Sequence, residues 1–188
     1  TIALLKRHGY AGLRTAAIAD EAGVSRGALL HHYPTKDALI LSSVEFVMRR
    51  ARAGALRRLR RVEEGVDAFA AIIDDARQFF FSADFGVVLD LVLMGGKNPE
   101  FRRHIVRYAR KNRLPVETAW RKLLERRGLE PEQAGLLLDL TLNTVRGASI
   151  RALWQRDEPA IDRMIIAWRD MLDLYLDHHG IKWLAKPR

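Results

Sequence analysis

The chain has 188 residues, 32 Lys and Arg against 23 Asp and Glu, a formal net charge of +9 and no cysteine. A disulfide framework and a Cys-ligated zinc or iron–sulfur centre are therefore excluded, and no run approaches the roughly 18 apolar residues of a membrane span. Residues 1–20 have neither a basic start nor a long apolar stretch, so no signal peptide is predicted. The 48% hydrophobic content fits a globular cytoplasmic protein with an acidic partner.

The whole chain reads as helix, because no stretch alternates apolar and polar residues between hairpin turns. The expected elements are 1–8, 15–22, 26–32, 36–62, 66–81, 84–94, 99–127 with a bend at Pro115, 132–156 and 159–179. Short helices come first and long ones follow. In the second of these, 15–22, Thr15 is expected to cap a helix whose Ile18 and Ala19 face inward. Gly23 is expected to take a positive φ in the turn. Ser25 is then placed to cap Arg26 to His32, with Val24 and Leu29 packing that helix on the one before. A helix, a tight turn with glycine and a second helix form the motif whose second member enters the major groove of DNA. Gly27 and Ala28 are small enough to bring the helix N-terminus near phosphates and base edges, and Arg26 can reach either. The same spacing also suits an ordinary helix pair in a helical core.

The charge is uneven. Residues 1–63 hold 12 basic and 5 acidic side chains, or +7, while residues 64–188 hold 20 and 18, or +2. Much of the excess is the run Arg49, Arg50, Arg52, Arg57, Arg58, Arg60 and Arg61. Apolar residues at 44, 48, 51, 55, 59 and 62 step by four and three, so these arginines read as the solvated face of an amphipathic helix. Arginines outnumber lysines 25 to 7, so arginine richness alone does not mark a phosphate site.

Further along, Phe79, Phe80, Phe81, Phe85, Leu89, Met94, Tyr108, Trp120 and Trp154 form an aromatic-rich set that suits a core or an apolar ligand pocket. Phe80, Phe85, Leu89, Met94, Tyr108, Trp120, Asn143 and Arg146 are the candidate ligand-binding residues. Asp90 and the pair Asn143 and Arg146 interrupt apolar runs, and Asp90 or Asp139 is expected to pair with Arg146. Helices 132–156 and 159–179 carry apolar belts wider than one face. They can bury against the chain's own core or against the same helices of a second copy. Leu137, Leu140, Val145, Ala148, Ile165, Trp168 and Leu172 are the candidate dimer-interface residues. No Gly-rich phosphate loop, G-x-S-x-G or H-E-x-x-H is present. The pairs His31-His32 and His178-His179 lack a completing ligand at i+3 or i+4, except for Asp173 or Asp177 near His178, which read as solvated helix-end residues, so neither an enzyme activity, a cofactor nor a metal site is expected.

The segment Gly9 to Leu39, GYAGLRTAAIADEAGVSRGALLHHYPTKDAL, resembles the DNA-binding domain of the TetR family of bacterial repressors. The likeness lies in Gly9-Tyr10, Thr15, Ile18-Ala19, Ala22-Gly23-Val24-Ser25 and His32-Tyr33-Pro34-Thr35-Lys36. Asn98-Pro99-Glu100-Phe101-Arg102 also resembles a stretch common between the family's sixth and seventh helices. The resemblance implies an all-α fold, with a helix-turn-helix DNA-binding domain at 1–36 and a helical ligand-binding and dimerisation domain at 37–188. It implies a repressor that binds a palindromic double-stranded DNA operator as a homodimer and is released by a small apolar effector. Thr15 and Ser25 match capping positions that touch phosphate. Arg26, Gly27 and Ala28 match base-proximal positions, while His31, His32, Tyr33 and Lys36 match positions facing the DNA backbone. Two residues depart from the pattern. Leu30 stands where a phosphate-contacting Tyr is common, and Ala16 where a base-reading side chain sometimes occurs. The chain also starts inside the expected first helix, without the basic arm of many members. The reading of a different class is a helical small-molecule-binding protein or enzyme that does not bind DNA. A third is a non-specific nucleic-acid-binding protein.

Overall fold

A computed structural model describes residues 1–63, 67–94 and 98–181, with the side chains of Glu63 and Met94 outside the described set. All regular structure among the described residues is α-helical, as expected from the sequence. The helices are α1 (Ile2–Gly12), α2 (Thr15–Ala22), α3 (Arg26–His32), α4 (Lys36–Glu63), α5 (Ala68–Phe80), α6 (Ala83–Met94), α7 (Pro99–Arg126), α8 (Pro131–Arg151) and α9 (Glu158–His178). The chain divides into two compact units, Thr1–Arg52 with Ser82–Arg113 and Ala53–Phe81 with Leu114–Arg188. The last boundary, between Arg113 and Leu114, falls beside Pro115 of α7, whose missing N–H leaves the Lys111 carbonyl without its intrahelical donor.

In the first unit, α1 packs on α6 and α2 on α3. Leu4, Leu5, Ile18, Ala19, Ile40 and Val44 are buried there. The first stretch of α1 stops at Gly9, close to the expected end at residue 8, because Gly9 at φ 63° and ψ −179° is non-helical, and a short helical turn follows it to Gly12. α2 stops at Gly23, whose φ of 64° lets the chain turn back. The Gly23 N–H then bonds to the Asp20 carbonyl and the Val24 N–H to the Ala19 carbonyl, each at 3.1 Å. Thr35 Oγ1 accepts from the Ala38 N–H at 3.0 Å and opens α4. Asp84 at the start of α6 binds Lys6 Nζ of α1 at 2.8 Å and also the Arg50 guanidinium of α4.

In the second unit, α5 packs on α8 and α8 on α9. Ile73, Ala148, Ile161 and Ile165 form a shared cluster, with Phe81, Ala152 and Trp168 against it. Asp67 Oδ1 caps α5, accepting from Phe69 and Ala70 N–H at 2.9 and 3.1 Å. Its other oxygen meets Arg169 of α9 at 2.7 Å. Asp157 caps α9 through the Ala160 N–H at 2.9 Å. That cap explains why the expected helix 132–156 ends earlier, at Arg151. The chain leaves α8 through a turn and must be extended before Asp157 can cap the next helix.

Two expectations about charge are corrected. Asp90 and Asp139 are both exposed, so neither is a buried carboxylate in need of Arg146. A carboxylate that is buried is Asp75, with 0% exposure, gripped by Arg58 Nε at 3.1 Å and by Arg58 Nη2. Arg58 Nη1 also donates to Gln78 Oε1 at 2.6 Å. The solvated-face reading of the arginine run holds for Arg49, Arg57, Arg60 and Arg61, all exposed. Arg58 instead turns inward to Asp75.

Candidate functional site

α3 is a short helix held by little of its own surface. Leu29 is its one buried side chain, while Arg26, Gly27, Ala28, His31 and His32 are exposed. Ser25 Oγ accepts from the Ala28 N–H at 3.1 Å, the cap expected from the sequence. The Ser25 hydroxyl hydrogen stays free to donate to an anion beside the N-terminus of α3. Gly27 has no internal reason to be glycine, because an added Cβ would meet only Ser25 Oγ at 3.9 Å. Glycine inside a helix costs about 0.5–1 kcal/mol relative to alanine.

Two local expectations are corrected. Thr15 is the first residue of α2 and makes no cap bond, since the cap position falls on the extended Arg14. Val24 does not pack α3 onto α2, being 45% exposed. Bonding of the turn is carried instead by the Gly23 and Val24 N–H groups.

Lys36 is half-buried and held in place. Its Nζ donates to the Tyr10 carbonyl at 2.5 Å and lies 4.4 Å from the centroid of the Tyr10 ring. Tyr10 in turn donates its hydroxyl to Asp37 Oδ1 at 2.7 Å, and its ring lies tilted against Phe101 with centroids 5.5 Å apart. The other Asp37 oxygen accepts from Asn98 Nδ2 at 3.3 Å. The hydrogen bond to Asp37, then burial and then the Asp37 charge push the Tyr10 phenol up to about 12, so it remains a donor. One Lys36 N–H is engaged, which leaves two to meet a phosphate. Tyr33 is half-buried, and its hydroxyl accepts weakly from Ser42 Oγ at 3.5 Å. Sequence reasoning missed Asp37 as the group that positions this cluster. The available signal was the pairing of Gly9-Tyr10 with the Asn98-Pro99 stretch.

Charge follows the units more closely than the halves of the chain. Residues 1–52 hold 8 basic and 4 acidic side chains, and residues 82–113 hold 7 and 3. The first unit therefore carries +8, and the second, with 17 basic and 16 acidic, carries +1.

The candidate ligand residues divide between the units. Phe85, Leu89 and Tyr108 are half-buried in the first. In the second, the Arg146 guanidinium lies 4.9 Å from the centroid of the buried Phe80 ring and donates to Asn143 Oδ1 at 3.1 Å. Trp120 has 0% exposure, and its Nε1 has no hydrogen-bond partner among the described residues. The Met94 side chain lies outside the described residues. Trp154, grouped with these aromatics by sequence, is 72% exposed.

Of the candidate interface residues, Leu137, Val145, Ala148, Ile165 and Leu172 are buried inside the single chain. Trp168 is half-buried, with its Nε1 donating to Thr141 Oγ1 at 3.1 Å, and Leu140 is exposed. The large apolar side chains left exposed on these two helices are Leu136 and Leu140 of α8 and Met164, Ile166, Met171 and Leu174 of α9. Of these, only Leu140 is among the interface candidates named from the sequence, although Leu136, Met164 and Met171 belong to the same apolar belts.

A sequence profile described as "Bacterial regulatory proteins, tetR family" matches residues 1–42. The HTH-type transcriptional regulator CymR of Pseudomonas putida is 37% identical over 163 residues, which is 87% of this chain and 80% of that protein. A transcriptional regulator from Rhodococcus sp. Rha1 has a similar fold, with a TM-score of 0.66, 24% identity and coverage of 94% of this chain and 92% of that one. The TetR family transcriptional regulator PfmR from Thermus thermophilus gives a TM-score of 0.55 at 20% identity, covering 89% and 92%.

Proposed function

Because this chain belongs to the TetR family of bacterial transcriptional regulators, we propose that it is a repressor that binds a palindromic operator as a homodimer and is released by a small apolar effector. The observation that carries the DNA-binding half is α3. It is capped by Ser25, exposes Arg26, Gly27, Ala28, His31 and His32, and sits in a unit that holds +8 of the +9 charge. Residues 1–36 form the reader and residues 37–188 the ligand-binding and dimerisation domain. Arg26 to Ala28 approach base edges. Thr15, Ser25, His31, His32, Tyr33 and Lys36 contact phosphates.

The effector reading rests on Trp120. A buried donor left without a partner costs about 1–3 kcal/mol, and an apolar effector bearing one acceptor oxygen or nitrogen removes that cost at Nε1. Arg146 and Asn143 offer further donors beside Phe80. The effector favours a dimer whose α3 helices are misplaced for successive grooves, with a coupling of about 1–3 kcal/mol. The protein acts in the cytoplasm, where its operator lies.

Selection of bound duplexes from a random-sequence pool, followed by footprinting, tests the reading. An enriched inverted repeat with half-sites about one helical turn or a multiple apart is expected. A pool with no enriched sequence at any salt overturns it.

A further inference from the structure

The first half of α7 carries a charge pattern that the fold compensates only in part. Between Pro99 and Arg113 there are six basic side chains and one acidic one, Glu100. Arg102, Arg103, Arg107, Arg110 and Lys111 are exposed. Helical spacing puts Arg103, Arg107 and Arg110 within about 60° of one another, in a stripe about 10 Å long. Lys111 pairs with Glu45 at 3.3 Å, whereas Arg103, Arg107 and Arg110 join no ion pair among the described residues. Like charges three and four residues apart on a helix repel, and an ordinary solvated face avoids that by mixing signs. The exposed side of α9 does mix them, with Asp162, Arg163, Asp170 and Asp177. Repulsion left standing along α7 is relieved when a polyanion lies against it.

The same compact unit contains the reader. The start of α7 is tied to it through the Asn98 to Asp37 hydrogen bond and the Phe101 to Tyr10 ring contact, one residue from Lys36. Over about 10 Å of axis, duplex DNA presents about six phosphate charges, a density that matches three arginines on one face. We propose that Arg103, Arg107 and Arg110 form a second phosphate-binding surface that engages duplex flanking the operator. The surface extends the footprint beyond the base pairs read by α3. It adds affinity without sequence preference, because phosphate contacts carry no sequence information. The proposal rests on the DNA-binding reading above.

The test uses the intact protein and the sequence enriched from the random pool, in two duplexes. One ends at the half-sites and the other extends about two helical turns (~20 bp) on each side. The expected wild-type result is tighter binding to the long duplex and a steeper salt dependence. Each added phosphate contact raises the slope by about 0.9, so affinity falls about 3.5-fold more for a fourfold rise in salt. The variant R103Q/R107Q/R110Q is expected to bind the short duplex as the wild type does and to lose the long-duplex advantage. The variant R103K/R107K/R110K is expected to keep it. Equal binding of both duplexes by the wild type overturns the proposal and leaves the operator reading intact. So does a glutamine variant that keeps the full advantage, which would assign the stripe to an acidic protein partner instead. A pool without enriched sequence removes the operator reading, and this surface with it.

Discussion

At the residue scale, two side chains separate binding from folding. Gly27 is exposed and a Cβ there has room within the chain, so the fold does not require its smallness. Gly27→Leu is expected to leave the thermal midpoint unchanged or slightly higher, since leucine is favoured over glycine in a helix by about 0.8 kcal/mol. The same substitution is expected to weaken operator binding at least about tenfold, the loss of one good base-edge approach. Unchanged affinity in a gel-shift titration defeats the base-proximal role. Asp75 is the opposite case. It is fully buried on Arg58 and far along the chain from the reader. Asp75→Ala strands the Arg58 guanidinium and is expected to cost about 3 kcal/mol in urea unfolding. A loss under about 1 kcal/mol would show that Arg58 finds solvent instead.

At the element scale, Asp84 joins three helices of the first unit, with Lys6 from α1 and Arg50 from α4. Burial alone would raise its carboxyl, but the hydrogen bond and charge of Lys6, and then those of Arg50, outweigh it and hold it below the usual value of 3.8. Asp67 is depressed likewise, with burial opposed by Arg169 and by the Ala70 and Phe69 N–H groups. A depressed folded-state pKa gives stability that is fully present above the unfolded value and is lost as pH falls through the folded one. Unfolding midpoints are therefore expected to be level above about pH 5 and to drop toward pH 3 and below. Asp84→Asn should lower stability at neutral pH by about 1 kcal/mol, a partly exposed pair being screened, and should flatten that acid limb. An unchanged limb would assign the acid sensitivity elsewhere. Much of this architecture was legible from spacing alone. The α2 stop at Gly23, the Ser25 cap and the inward Ile18 and Ala19 are local events, set by residues within a few positions. What stayed hidden depends on partners far apart in sequence: Asp75 with Arg58, Asp37 with Asn98, and Asp67 with Arg169. A lone carboxylate on a helix looks the same in sequence whether it meets water or an arginine many residues away. The early end of α8 was missed for a related reason, because residues 152–156 contain no glycine or proline to announce a turn.

At the scale of the whole molecule, the single chain leaves apolar surface uncovered along α8 and α9. The stripe Leu136, Leu140, Asn143, Gly147 follows the spacing of one α8 face, and Met164, Met171 and Leu174 share one side of α9 away from the buried Ile165 and Leu172. Exposed apolar area is worth about 25 cal/mol per Å² when buried, and a stable interface needs about 1,000 Å² or more. The five large side chains on these two faces come within reach of that. An isologous pairing uses each patch twice, against its own symmetry copy. The residues that hold such a dimer are therefore the exposed ones, Leu140 and Met171 above all. Leu137, Val145 and Leu172 support them from behind, already covered within the protomer. Leu140→Glu with Met171→Glu places two charges on each side of the pairing and leaves the protomer core untouched. Sedimentation is expected to give a dimer for the wild type at micromolar concentration and a folded monomer for the variant. The monomer should retain the helical circular dichroism of the wild type yet lose operator affinity by about a thousandfold or more, since one α3 reaches only one half-site and the remainder is non-specific attraction. A double variant that sediments as a dimer excludes this face as the interface. A wild-type monomer that binds a single half-site as tightly as the full repeat excludes two-fold recognition itself.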